Sequence, residues 1–265
     1  MIKKLQLLMV TVFIFNGAYA QEPMTKKGTP ILPHKGDWGI GFDAVPILEY
    51  VGNIFHDSGN NHDLSINYPL SITARYMRTD KIAYRLTASV GFKSVKSDTL
   101  VPKQGSTNTN EQVADETVDS NFNTLLGFGV QRSMGNARVR GYYGGEGIIT
   151  LATSNTKYSF GNPLGAQNPV NERTKQVKNG TTFGFGVRGF VGVEVYVAPK
   201  ISLSAEYGLS PFTITSTGGN EIKTEKWDGS TVQTEIKSTQ GKTNTIASAT
   251  DNHNGSISLL FYFSR

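Results

Sequence analysis

At 265 residues with no cysteine, the chain is long enough for one all-β domain or two small ones, and it can hold neither a disulfide nor a thiolate metal site. A formal charge of +5, from 26 basic and 21 acidic residues without a dense basic cluster, argues against nucleic acid as a partner. Aliphatic and aromatic residues make up only 37% of the chain, thin for a large soluble core, while its 29 glycines recur inside strand-like runs.

Residues 1–20, MIKKLQLLMVTVFIFNGAYA, have the three parts of a cleaved secretory signal peptide. Lys3 and Lys4 supply the charged start, residues 7–15 the apolar run, and Ala18, Tyr19 and Ala20 the small-residue cleavage site. That run is shorter than the roughly 20 apolar residues of a membrane-spanning helix. Gln21 rather than a cysteine follows, so no lipid anchor is expected. Losing Lys3 and Lys4 leaves 24 basic residues against 21 acidic ones, a weak imbalance. Residues 21–35 are polar and contain proline, and are read as a periplasmic N-terminal segment ahead of a β domain over 36–265.

Eight runs then alternate with period two, the mark of strands with unlike faces. The first sets Trp38, Ile40, Phe42 and Ala44 against Asp37, Gly39, Gly41 and Asp43. The second carries Ile66, Tyr68, Leu70, Ile72, Ala74 and Tyr76 opposite Thr73 and Arg75; the third carries Ile82, Tyr84, Leu86, Ala88, Val90 and Phe92 opposite Arg85, Thr87 and Lys93. The fourth opposes Phe122, Leu126, Phe128 and Val130 to Asn123, Gly127, Gly129 and Gln131. The fifth is the weakest, with Val139, Tyr143, Ile149 and Leu151 against Arg140, Tyr142 and Glu146. The sixth, from Phe183 to Val197 on odd numbers, hides Arg188 and Glu194 on even ones. The seventh sets Ile201 to Leu209 against Ser202, Ser204, Glu206 and Ser210, and the eighth sets Ile257, Leu259, Phe261 and Phe263 against Ser256, Ser258 and Tyr262.

The connections decide what the apolar face meets. Short ones at 77–81, 132–137 and 198–200 alternate with long polar ones at 51–65, 94–120, 153–180 and 216–254. A soluble sandwich has no reason for that alternation, because both its ends face water. An outer-membrane barrel does, with short periplasmic turns and long extracellular loops. The expected fold is therefore all-β, an eight-stranded antiparallel up-and-down transmembrane β-barrel. Its apolar face meets lipid and its arginines point inward. In hydrocarbon an open sheet edge costs several kcal/mol per unpaired backbone group, so the first and last strands must pair. Pro46 and Pro69 are expected at bulges or strand ends.

The eight amphipathic runs, three tight turns, four long polar loops and the aromatic-rich final strand SISLLFYFSR resemble the small outer-membrane β-barrels of the OmpA-like and OmpX-like kind. The resemblance covers nearly all of the mature chain. It implies residence in the outer membrane of a Gram-negative cell, with outer-membrane lipid as the surrounding partner. The chain stops at Arg265 directly after the eighth run, so the periplasmic peptidoglycan-binding domain that some relatives carry is not expected.

Asp43, Arg75, Arg85, Arg140, Glu146, Arg188, Glu194 and Glu206 fall on the inward face. Eight strands enclose a lumen just wide enough for side chains to fill, and an unpaired buried ion costs several kcal/mol. These charges are expected to pair as a plug, with a gated ion path as the alternative. The strongest register constraint lies between the fifth and sixth runs. One antiparallel register opposes both Arg140 to Glu194 and Glu146 to Arg188, because the two pairs of numbers have the same total.

His56 and His62, in HDSGNNHD, could hold a metal or resemble a protease site, but such loop composition is ordinary turn chemistry. His34 precedes the first run; His253 and Ser256 have opposite parity, which argues against a catalytic dyad on one face. In the last long loop Asp228-Gly229 signals a two-residue hairpin turn between 221–227 and 230–237, standing above the membrane. Its edges could bind a partner by strand addition. The function expected is a structural or cell-surface binding role for a monomer, with an extracellular ligand or protein held by the long loops. No catalytic site, cofactor or metal is called for. The alternatives are a narrow pore or small-solute channel, and an outer-membrane enzyme acting on lipid or protein.

Overall fold

The structure, a computed structural model, describes residues 23–44, 70–108, 110–170, 172–250 and 256–264. The signal peptide, the first long loop with His56 and His62, Pro46, Pro69 and His253 lie outside the described residues. The strands are β1 (Trp38–Asp43), β2 (Leu70–Met77), β3 (Ile82–Pro102), β4 (Gln112–Met134), β5 (Val139–Ser159), β6 (Arg173–Ala198), β7 (Ile201–Thr217), β8 (Asn220–Trp227), β9 (Val232–Gln240), β10 (Thr243–Thr250) and β11 (Ser256–Phe263). Every pairing is antiparallel. β1 bonds β2 on one edge and β11 on the other, and β11 bonds β7, so β1 to β7 and β11 close into an eight-stranded ring.

The three extra strands continue barrel strands across short breaks. Thr182 faces Thr217 of β7, and four residues further along β6, Lys178 faces Glu221 of β8, which is the same register. β8 therefore prolongs β7 across Gly218 and Gly219. On the other edge, Thr243↔Thr217 and Gln240↔Asn220 also share one register, so β9 and β10 form a single run broken at Gly241 and Lys242. That run leads toward β11.

Burial is inverted relative to a water-soluble protein. Phe128 and Val191 are 64% and 58% exposed, while Arg75 and Glu194 are 2% and 1% exposed. The alternation causes this directly, because successive side chains of a strand point to opposite sides of the wall. Bulky inward side chains fit because glycines face them. A Cβ on Gly192 would stand 2.4 Å from the Tyr142 ring, and one on Gly39 would stand 2.7 Å from the Tyr262 ring.

Much of what reads as long loop is strand. The stretch 94–120 is β3 up to Pro102 and β4 from Gln112, leaving a tip at 103–111 closed by Lys103 N–H donating to Glu111 O at 2.9 Å. Likewise 153–180 shrinks to a tip at 160–172, and 216–254 contains β8, β9 and β10. Above the apolar belt both wall faces are polar, so the hydrophobic period disappears while the backbone ladder continues. Pro211 conceals a further stretch. Leu209 and Phe212 both point outward across a bulge, where Gly189 faces Leu209 but Val187 faces Phe212. That change of parity ends the seventh run too early in the sequence.

The N-terminal segment packs into the short-turn end. Ile31 is fully buried, and with Leu32 it joins Met77, Ala83, Tyr196, Leu260 and Tyr262 in the apolar cluster of the barrel floor. Lys200 N–H donates to Ile31 O at 2.9 Å and Gly36 N–H to Met77 O at 2.8 Å. Lys200 itself is left-handed at φ 59° in the tight β6–β7 turn. Its ammonium holds Asp37 at 2.8 Å and also meets Ser264, tying both termini to one turn.

Candidate functional site

The alternation delivers the eight inward charges to one lumen from six strands: Asp43 on β1, Arg75 on β2, Arg85 on β3, Arg140 and Glu146 on β5, Arg188 and Glu194 on β6, and Glu206 on β7. Asp43 is half-buried, opposite Ser258. Two clusters form from Arg75, Arg85, Arg188, Glu146, Glu194 and Glu206.

The lower cluster joins opposite walls. Arg75 Nη1 lies 3.1 Å from Glu194 Oε2 and donates to the Tyr262 hydroxyl at 2.9 Å. That hydroxyl donates to Glu194 Oε1 at 2.9 Å, and Ser202 donates to the same oxygen at 2.5 Å. Tyr142 lies beneath the Arg75 guanidinium, 5.3 Å from ring centroid to Cζ.

The upper cluster is a four-membered ring of alternating sign. Arg85 grips both oxygens of Glu206, one of them at 3.0 Å. Arg188 reaches Glu206 at 2.8 Å and Glu146 at 2.6 Å, and Arg85 Nε lies 3.6 Å from Glu146. Thr87 donates to Glu146 at 3.2 Å, and Phe190 stacks under Arg85 at 4.4 Å. Above this ring the inward residues Ser89, Asn123, Thr150 and Thr213 are half-buried or exposed, so the lumen opens toward the long walls.

The register expected between β5 and β6 is present: Arg140 faces Glu194 and Glu146 faces Arg188. Only the second opposition is an ion pair. Glu194 is occupied by Arg75 from across the barrel, by Ser202 of the neighbouring β7 and by Tyr262 of β11, and Arg140 instead donates through Nη2 to the Asp80 carbonyl at 2.9 Å. Direct opposition along the wall is not the shortest route in a narrow lumen, where an arginine spans to the far side.

Above the belt the strand tips are tied to one another. Arg173 at the start of β6 pairs with Glu225 at 2.7 Å, donates to Asn162 O at 2.8 Å and stacks on Phe160 at 4.1 Å. Asn162 accepts Gln104 N–H at 2.9 Å and donates to Pro102 O at 2.9 Å; Lys237 pairs with Glu172 at 2.7 Å. The distal hairpin also differs from expectation. Trp227 faces Val232, so the loop is Asp228–Gly229–Ser230–Thr231 rather than a two-residue Asp228-Gly229 turn. The Asp228 carboxylate sets this by accepting the N–H groups of Ser230 at 2.9 Å and Thr231 at 2.7 Å, with Gly229 at φ 104°.

Those same backbone donors, with Gln233, hold the Asp228 carboxyl well below its ordinary value of 3.8. A depressed folded-state value stabilises the loop fully above the ordinary range, and that contribution is lost only as pH falls through the lower value. The loop should therefore stay closed where a free aspartate has already protonated. Carbon-detected NMR titration checks this; an Asp228 midpoint at the ordinary value would contradict the capping geometry.

Among the described residues no three His, Asp or Glu side chains converge as a metal site, and no helix is long and apolar enough to cross a membrane. His34 lies 3.7 Å from Asp80 at the short-turn end. No protein-family model matches the chain, and no curated protein matches it. Among solved structures it is similar to the crystal structure of the outer membrane protein OprG from Pseudomonas aeruginosa, at 13% identity over 88% of this chain and 99% of that one, with a TM-score of 0.31.

Proposed function

We propose that the chain is an outer-membrane β-barrel of a Gram-negative cell, exported by the signal peptide at 1–20, with a sealed lumen and a structural or surface-binding role. The observation that carries this reading is the contrast between the filled lower lumen and the long walls above it. Arg75, Arg85, Arg188, Glu146, Glu194 and Glu206 close the lumen over a floor made with Ile31 and Leu32. β6 alone has 26 residues; at about 3.3 Å per residue that is about 85 Å along the strand. An apolar belt is only about 25 Å tall, so much of the wall stands clear of lipid.

The exposed surface for a partner is β9, whose nine residues are all exposed and which bonds only β8 among the described strands. Strand addition to that edge is the binding mode this geometry favours. The reading needs no cofactor and no catalytic step, and treats the barrel as a monomer. A narrow channel is the second reading, favoured by the open upper lumen. Planar-bilayer recording separates the two: the sealed barrel gives no unit conductance, and stepwise currents would establish the channel. A barrel with residues 220–240 replaced by a short turn keeps β10 paired to β7 through Thr217 and Thr243, and should still fold in detergent and lose cell-surface binding. Retained binding would move the partner site off the hairpin.

A further inference from the structure

Arg75, Arg85 and Arg188 pair with Glu146, Glu194 and Glu206 in the two interior clusters, and Arg140 takes part in neither. Arg140 is 3% exposed, and among the described residues no carboxylate oxygen lies within ion-pair distance of it. Its described hydrogen bond is the one to the Asp80 carbonyl, and its Nε is buried without a partner. A guanidinium carries five donors in a planar fork, so a buried one served by a single carbonyl is short of both acceptors and negative charge.

Arg140 also lines a cavity of about 210 Å³ at the short-turn end. Lys81 from the β2–β3 turn, Asn136 from the β4–β5 turn and His34 from the N-terminal segment bring further donors to it, and Leu32 and Pro33 form an apolar wall. We propose that this cavity is an anion site facing the periplasm, taking the carboxylate of a small monoanionic molecule on the Arg140 fork. The carboxylate matches the fork in shape and supplies the missing charge. The apolar wall accommodates a short hydrocarbon portion. Asp80, held by Lys35 N–H at 2.8 Å, also lines the cavity and disfavours a dianion there. A free acid and the C-terminus of a peptide share this chemistry.

The test uses the full mature barrel in detergent micelles with ¹⁵N-labelled arginine, titrated with propionate, N-acetylalanine, N-acetylalaninamide and inorganic phosphate. The Arg140 Nε–H resonance should shift saturably with the carboxylates and stay in place with the amide. Binding by N-acetylalanine alone would assign the site to a peptide terminus, and equal binding by propionate to a free acid; either supports the site. Arg140→Gln should weaken binding by about tenfold or more, since a charged hydrogen-bonding partner is lost. Lys81→Gln and Asn136→Ala, on exposed turns, keep the test informative if Arg140→Gln fails to fold, and each should weaken binding by about threefold. The proposal is overturned by no saturable shift, by an equal response to the amide, by tighter binding of phosphate than of either carboxylate, or by unchanged affinity in the turn variants. None of these readouts depends on whether the barrel conducts or binds a surface partner.

Discussion

Replacing Glu206 with alanine should destabilise the refolded barrel by about 3–5 kcal/mol, the range for removing one partner of a buried ion pair. Glu206 accepts from Arg85 through both oxygens and from Arg188 at 2.8 Å, so its loss leaves two buried guanidinium groups sharing Glu146. The double substitution Arg85→Met with Glu206→Leu removes one positive and one negative member and keeps the Arg188–Glu146 pair at 2.6 Å. It should therefore cost less than Glu206→Ala alone. Urea unfolding in micelles, followed by the gel-mobility shift between folded and heated barrel, measures both. Equal stability of Glu206→Ala and the unsubstituted barrel would mean the lumen is hydrated enough to screen these charges.

The second large effect is expected at the floor. Ile31 is fully buried against Tyr196, Leu260 and Tyr262, and Ile31→Ala should cost about 2–5 kcal/mol as a core truncation. Ile31→Asp should go further and expel the segment, because an unpaired carboxylate cannot be accommodated in that cluster. The readout is protease cleavage within residues 23–35 of an otherwise folded barrel. Arg75, Glu194 and Tyr262 still span the lumen above, so no current should appear. A conducting Ile31→Asp barrel would make the N-terminal segment, rather than the charge network, the seal.

The ring and its facing were legible because lipid-side and lumen-side residues differ so sharply: Leu86 beside Arg85, Val193 beside Glu194. Register between β5 and β6 was legible for a related reason, since opposed charges on two strands allow few matches. The partner of each charge was not. Arg75 and Glu194 sit on strands with three others between them in the ring, and nothing local in the sequence points one at the other. The upper walls were hidden because Lys96, Asp98 and Glu116 stand in water, where a strand needs no apolar face. The floor was hidden because Ile31 and Leu32 are two apolar residues in a polar, proline-containing stretch, too few to show a period.

The cross-lumen bonds also govern how the barrel comes and goes in time. Arg75 and Glu194 are 119 positions apart, and Arg85 and Glu206 are 121 apart. Contacts so distant along the chain reward folding only after most loop-closure entropy has been spent, which makes closure slow. Bonds absent from the transition state slow unfolding without speeding folding. Withdrawing β2, β3, β6 or β7 must break lumen bonds to the far wall together with the strand's two backbone ladders. The lumen network is thus a latch set last, and the closed barrel should persist long after conditions cease to favour its formation.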